Sequence, residues 1–252
     1  MPELRRLLVT PDRLNELCVN SRRLALNNDE QHYLRRVLRL RQGDSFCVTN
    51  GQGRLWMAQL HSDGHLSLIN GLKQPMEDQP KSAPSIGLAV ALVRRGMDDL
   101  LRMACELGVD CFQPLRTNRC TVQAEYRPER WQSILREAVE QCERLWMPDL
   151  SPLADVKDWI PTGPCDVAIA VARETGIPDL EQWLASKVQR IRPVWLVVGP
   201  EGGWTDLEIT DAVDRGWQPV DLGPTILRTS TAAVTGAVLL ARWRDFDHSI
   251  RS

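Results

Sequence analysis

Residues 194–216 read VWLVVGPEGGWTDLEITDAVDRG. The apolar, valine-rich opening predicts a strand buried on both faces. The run stops at Gly199-Pro200-Glu201-Gly202-Gly203, where neither strand nor helix continues. A helix is predicted immediately afterwards, because Thr205 and Glu208 have capping-box spacing. Gly216 ends it. A strand that turns through glycines into a helix is the repeating unit of a parallel α/β sheet. Glycines at such a turn let backbone amides approach a ligand at the carboxyl end of the strand. The same residues also fit a tight connection that binds nothing. The loop is neither GxxxxGK[ST] nor GxGxxG, so neither an ATP site nor an NAD site follows from it.

A second segment, 219–243, reads PVDLGPTILRTSTAAVTGAVLLARW. Val220–Leu222 predicts a short strand, Gly223-Pro224 ends it, and Arg228 lies in the loop that follows. Thr229-Ser230-Thr231 offers caps for a helix of small and apolar residues. Two glycine-bearing strand ends make one crevice plausible on topological grounds. An isolated arginine is ordinarily solvated or paired; between two ligand-type loops it is a candidate for stabilising negative charge.

Further out, Ile86–Val93 predicts another buried strand, and Met97–Leu107 a helix with Leu100, Leu101, Ala104 and Leu107 on one face, ending at Gly108. Residues 129–145 predict a longer amphipathic helix with the stripe Trp131, Ile134, Leu135, Ala138, Cys142 and Leu145. Asp166–Ala172 predicts one more strand. Strands alternating with helices imply an α/β domain covered on both faces. Residues 73–85, KQPMEDQPKSAPS, carry three prolines and read as a linker. Upstream the period is that of strands. Phe46 and Val48 alternate, Asn50–Gly53 is a tight turn, Leu55 and Met57 alternate, and 62–64 is the next turn before 65–69. With a helix near 28–38, this predicts a small antiparallel barrel. The expected organisation is a barrel over 1–72, a linker over 73–85 and an α/β domain over 86–252.

The 252 residues are 43% hydrophobic and 25% charged, which excludes a disordered chain or a disulfide-stapled miniprotein. The seven cysteines include no CxxC pair and the four histidines are scattered, so no metal is expected and the thiols read as reduced. No apolar run nears the roughly 20 residues of a membrane span, and the N-terminus lacks a signal-peptide pattern. A cytoplasmic protein with no membrane partner is the expectation. A net charge of −2 argues against a simple non-specific nucleic-acid binder. The charge is uneven, however. Residues 1–54 hold 10 Lys and Arg against 6 Asp and Glu, whereas 81–252 hold 20 against 24. Arg35, Arg36, Arg39 and Arg41 put four guanidinium groups within seven residues. They read as a phosphate-binding cluster or as a solvated helix face, and the charge asymmetry favours RNA.

Several segments together resemble a known family: GPEGGWTDLE, LGPTILRTSTAA, ELGVD at 106–110, TNRC at 117–120, and HYLRRVLRLRQGD at 32–44. The spacing of Trp131, Glu140-Gln141-Cys142, Arg144 and Pro148 agrees. The likeness is to the 16S ribosomal RNA uridine-N3 methyltransferases of the SPOUT class, and it covers nearly the whole chain. It implies an N-terminal PUA-like β-barrel, a C-terminal α/β domain with a trefoil knot, and a homodimer. It also implies S-adenosylmethionine held by Gly199, Pro200, Glu201, Gly202, Gly203, Leu222, Gly223, Ile226 and Leu227. The partner would be 16S rRNA or the small ribosomal subunit, with Arg35, Arg36, Arg39 and Arg41 on the RNA and Arg228 as the catalytic charge. The chain departs from the family pattern at Thr225, Ser230 and Met103, where Arg, Glu and Lys are common. The alternative reading is a catalytically weak RNA-binding or ribosome-assembly protein on the same scaffold.

Overall fold

Alternating apolar residues in the first 70 positions collapse onto one another as a small β unit. Leu7, Val9, Leu24, Leu34, Phe46, Val48, Trp56, Ala58, Leu60 and Leu66 form its core. The computed structural model describes residues 5–19, 23–121, 123–187 and 191–245. The chain divides into two compact units: Met1–Lys81 with Arg136–Met147, and Ser82–Leu135 with Pro148–Ser252.

The first unit runs β1 (Arg6–Leu8), α1 (Pro11–Val19), β2 (Arg23–Ala25), α2 (Asn28–His32), a π-helical turn (Tyr33–Val37), β3 (Ser45–Thr49), β4 (Arg54–Leu60), β5 (His65–Leu68) and β6 (Glu77–Asp78). The sheet order is β1-β3-β4-β5-β2, with β6 on β4. This corrects the all-antiparallel expectation. β1 pairs with β3 in parallel, and among the described residues no ladder joins β1 to β2. The predicted helix near 28–38 is an α-turn that widens into a π-turn. Its start is fixed by an Asn27–Glu30 capping box. The stretch read as a linker over 73–85 holds β6, because Arg54 and Leu55 pair with Asp78 and Glu77.

The second correction concerns α4 (Pro128–Gln141), whose residues from Arg136 onward belong with the first unit. The cause is a buried polar network. Glu140 accepts from the Leu8 amide at 2.7 Å, and Arg136 donates to the Leu8 carbonyl. Arg136 also lies 3.7 Å from Glu140 and from the buried Glu30, which Arg13 pairs as well. Burial pushes the Glu140 carboxyl up to about 7, opposed by the Leu8 amide and Arg136. The neighbouring Tyr33 hydroxyl is pushed up to about 12, first by burial and then by Glu140. A carboxyl whose folded pKa lies above its unfolded value binds its proton more tightly when folded. Its contribution to stability is therefore largest at low pH and is lost as pH rises through about 7. Glu140→Gln removes this titration. The variant's unfolding free energy, relative to the native chain, should rise by about 2 kcal/mol between pH 5 and pH 8. A difference that stays constant across that range, measured by denaturant titration, would contradict this account.

The second unit continues with β7 (Ile86–Ala91), α3 (Met97–Glu106), β8 (Cys111–Arg116), the start of α4, β9 (Asp149–Leu150), β10 (Ala154–Asp155), β11 (Asp166–Ala170), α5 (Leu180–Ala185), β12 (Val194–Val198), α6 (Asp206–Asp214), β13 (Gln218–Val220) and α7 (Thr229–Asp245). The sheet order is β10-β8-β7-β12-β11-β13, with β9 beside β8. Every ladder is parallel, as the continuous apolar runs predict. Helix α7 lies against α3, α5, β7 and β12. It approaches the sheet closely at Gly236, where a Cβ would stand 2.0 Å from the Leu196 side chain. At the foot of the unit Arg244 and Asp110 form a 2.8 Å ion pair, both at least nine-tenths buried. Asp110 also accepts from the Ile86 amide at 3.0 Å. Arg244 donates to the Gly108 carbonyl at 3.2 Å. Gly108, at φ +97°, admits no side chain there, because a Cβ would stand 2.9 Å from the guanidinium. Among the described residues no helix is long and apolar enough to cross a membrane.

Candidate functional site

Because all the strands of the second unit run the same way, the exits of β7, β8, β11, β12 and β13 gather at one edge. β12 ends at Val198, and the glycine loop follows. Its shape is set by three anchors. The Trp204 indole donates to the Ala170 carbonyl at the end of β11, at 2.8 Å. The Gly203 amide closes onto the Pro200 carbonyl at 2.9 Å, with Gly203 at φ +69°. Thr205 and Glu208 form the capping box that starts α6. Gly199 lacks a side chain because the Trp204 ring fills that space, 2.9 Å from where a Cβ would sit.

The second loop leaves β13 beside α5: the Asp221 amide bonds the Pro178 carbonyl and the Leu180 amide bonds the Asp221 carbonyl, both at 3.0 Å. Gly223 takes φ +127°. The chain then returns to the glycine loop, where the Thr229 hydroxyl at the start of α7 donates to the Gly199 carbonyl at 2.8 Å. The two predicted loops therefore meet, and Arg228 stands exposed beside that bond. Ser230, one residue beyond Thr229, lies 3.7 Å from where a Cβ on Gly96 would sit, so the exit of β7 joins the same place.

A third loop, which sequence reasoning left without a role, holds the glycine loop in position. Arg119 donates from Nη1 to the carbonyls of Gly202 at 3.2 Å and Trp204 at 2.7 Å. The Asn118 amide donates to Glu208 at 2.9 Å. A Cβ on Gly202 would stand 3.0 Å from Cβ of Arg119. Gly202 is thus explained by packing as well as by any ligand. The available signal was TNRC at a strand end, but a guanidinium that binds carbonyls across 83 residues of chain leaves no mark in sequence spacing.

The arrangement fits a ligand with polar edges and a flat apolar body. Nothing lies within 4 Å of a Cβ built on Gly203 or Gly223, so open space adjoins both loops. Ile226 is 63% exposed beside it, an apolar side chain not spent on the core. Leu222 and Leu227 are half-exposed, Pro200 is buried, and Glu201 is exposed. Arg35, Arg36, Arg39 and Arg41 are all exposed on and after the π-turn of the first unit. Among the described residues no group of His, Cys, Asp or Glu could hold a metal ion.

A parallel α/β unit with paired glycine exits, carried with a small β unit, defines the class. A family model described as an RNA methyltransferase domain matches residues 80–241, and one described as an RNA methyltransferase PUA domain matches 26–69. The chain belongs to the RNA methyltransferase family that includes the ribosomal RNA small subunit methyltransferases E. The protein of that name from Synechocystis sp. is 37% identical over 231 residues, covering 90% of this chain and 74% of its own. The one from Rickettsia conorii is 29% identical, covering 88% and 92%. Among solved structures, the methyltransferase E of Neisseria gonorrhoeae bound to S-adenosyl methionine superposes with a TM-score of 0.74 at 26% identity, covering 95% of this chain and 97% of its own. A Legionella pneumophila methyltransferase in complex with SAM gives 0.74 at 27% identity, covering 87% and 91%.

Proposed function

We propose that this protein transfers a methyl group from S-adenosylmethionine to N3 of a uridine in 16S ribosomal RNA. The observation that carries the reading is the Thr229–Gly199 bond, which joins two glycine-bearing strand exits with Arg228 beside them. Relatives named for small-subunit rRNA methylation, and similar structures with the donor bound, support it. Backbone groups of Gly199, Pro200, Glu201, Gly202, Gly203, Leu222, Gly223 and Leu227 hold the donor, and Ile226 covers its apolar part. The donor supplies an electrophilic methyl on a sulfonium. N3 of uracil carries a weakly acidic proton, which passes to solvent before or during attack; the N3–methyl bond forms as the sulfonium–methyl bond breaks, and S-adenosylhomocysteine leaves. Arg228 stabilises the charge that then spreads to the base carbonyls. The loops add the gain from holding nucleophile and methyl in line.

The same reading includes a SPOUT-type knot, a homodimer and a cytoplasmic location. The knot is supported by the path beyond β12, which passes β11 to reach β13 and returns to Gly199. The dimer is supported by α7, where Val234, Thr235 and Val238 remain half-exposed on one face. A catalytically weak RNA-binding protein is the second reading, favoured by Ser230, a half-buried hydroxyl where the family pattern has a carboxylate.

Methyl transfer to small ribosomal subunits, followed by mass spectrometry of the nucleosides, tests the function. N3-methyluridine in the rRNA is the expected product, and donor binding without transfer selects the second reading. Gly202→Val tests the donor site separately. Its side chain collides with Arg119, and overpacking of this kind costs about 1–3 kcal/mol. Donor affinity measured by calorimetry should fall by roughly 5- to 150-fold. Unchanged affinity in a folded variant rules the loop out as the donor site.

A further inference from the structure

We infer that the second unit has its own RNA-binding strip, formed by Arg94, Arg95 and Arg116 at the exits of β7 and β8, which grips the phosphates of the strand whose base enters the site. The inference rests on the proposed action on RNA and goes beyond it, because that reading puts phosphate contacts only on Arg35–Arg41 of the first unit.

Several arginines of the second unit already have partners. Arg102, Arg127, Arg130 and Arg244 are paired with carboxylates, and Arg119 and Arg215 are held by backbone carbonyls. These guanidiniums are committed to the fold. Like those of Arg173, Arg192, Arg228 and Arg242, the side chains of Arg94, Arg95 and Arg116 are exposed and, among the described residues, make no ion pair or side-chain hydrogen bond. They are also neighbours. Ala91 of β7 is the register partner of Leu115 of β8, and the Leu92 amide bonds the Leu115 carbonyl at 2.9 Å. Arg116 and Arg94 therefore leave adjacent strands at one edge. Cys120 folds the following loop back onto the Leu92 carbonyl at 3.5 Å. Gly96, next to Arg95, faces Ser230, two residues from Arg228.

The nearby acids do not cancel this charge. Asp98 is paired with Arg130 at 2.6 Å and Asp99 with Arg102 at 3.6 Å. Among the described residues Asp155, the register partner of Arg116, forms no ion pair with it, so it offsets part of the charge at Arg116 without occupying the guanidinium. Guanidiniums without an ion-pair partner, at strand exits beside the glycine loops, match the bidentate geometry of phosphate oxygens. The occupant is an unpaired RNA strand, because a base must leave its stack to enter a pocket while its flanking phosphates stay outside.

The test is binding of 16S rRNA to the full-length protein over a salt series, comparing the native chain with Arg94→Ala/Arg95→Ala. Two lost phosphate contacts should reduce the slope of log K against log salt by about 1.4 and weaken binding roughly 25-fold at 0.1 M salt. Donor affinity should not change, and turnover at saturating RNA should stay within about twofold, because phosphate contacts position the strand without acting on the base. Arg102→Ala/Arg130→Ala removes the same charge from the same unit and should leave the slope alone. The inference is overturned if the Arg94/Arg95 variant binds like the native chain, or if both double variants lose the same affinity and slope, which would mark a net-charge effect. A native protein that binds and methylates rRNA alongside an unaffected variant overturns the strip and leaves the proposed function standing. A native protein that neither binds nor methylates rRNA overturns both.

Discussion

Arg244→Met is expected to lower the unfolding free energy of the second unit by about 3–5 kcal/mol, the cost of leaving one member of a buried ion pair without its partner. The pair is 2.8 Å long, with Arg244 7% exposed and Asp110 3% exposed, so water cannot take over the lost contact. Asp110 would keep the Ile86 amide at 3.0 Å, but its carboxylate would stay buried without the guanidinium that pairs it. The Gly108 carbonyl would lose its guanidinium donor as well. Asp110→Asn should cost less, because an amide oxygen still accepts from Ile86 and no buried negative charge remains. Guanidinium chloride titrations followed by tryptophan fluorescence would measure both variants. A loss below about 1 kcal/mol for Arg244→Met would mean that the pair gains nothing beyond its own desolvation. The pair also gives the ELGVD segment a structural meaning: Gly108 makes room for the guanidinium and Asp110 binds it, far from the strand exits that carry the site.

What the sequence made legible follows the range of the interactions. β12 is where the apolar run 194–198 puts it, and the Thr205–Glu208 capping box forms, because both depend on residues within four positions of one another. The parallel sheet follows from strands apolar on both faces. β8 was missed because Gln113 and Pro114 interrupt its apolar run. Gln113 is nonetheless buried, with its amide satisfied by the carbonyls of Pro114 and Pro152, the second of them 39 residues away. The proline-rich stretch at 73–85 looked unstructured because Glu77 and Asp78 are polar; their pairing with β4 uses backbone groups and needs no apolar side chain. The assignment of residues 136–147 to the first unit was equally hidden. Glu140 and Arg136 read as ordinary charges on a helix until β1, about 130 residues earlier in the chain, supplies the Leu8 amide and carbonyl. The site itself divides the same way. Its glycines are visible as letters, whereas the Arg119 clamp and the Thr229–Gly199 bond exist only once the topology brings three strand exits together.

Arg228→Ala should lower turnover at saturating RNA and donor by about 2–4 kcal/mol, roughly 30- to 1000-fold, if the guanidinium acts as one preorganised charge on the developing oxyanion. Arg228 is exposed and adjoins the Thr229 hydroxyl that binds Gly199, so its loss removes charge at the mouth of the site without opening the core. The backbone of the glycine loop stays in place, because Trp204, Thr229 and Arg119 hold it independently. Donor affinity should therefore be unchanged, and the loss should fall on kcat, since an interaction made mainly in the transition state does not register in ground-state binding. Arg36→Ala with Arg39→Ala is the complementary experiment. Both residues are exposed in the first unit, and phosphate contacts there contribute affinity that falls with salt and carry no base chemistry. That double variant should bind RNA more weakly, with a salt dependence flatter by about 1.4, and turn over at the native rate once RNA saturates. If Arg228→Ala instead behaves like Arg36→Ala/Arg39→Ala, losing only RNA affinity with kcat intact, then Arg228 is one more phosphate contact. The charge that stabilises the base must in that case come from another group at the same strand exits.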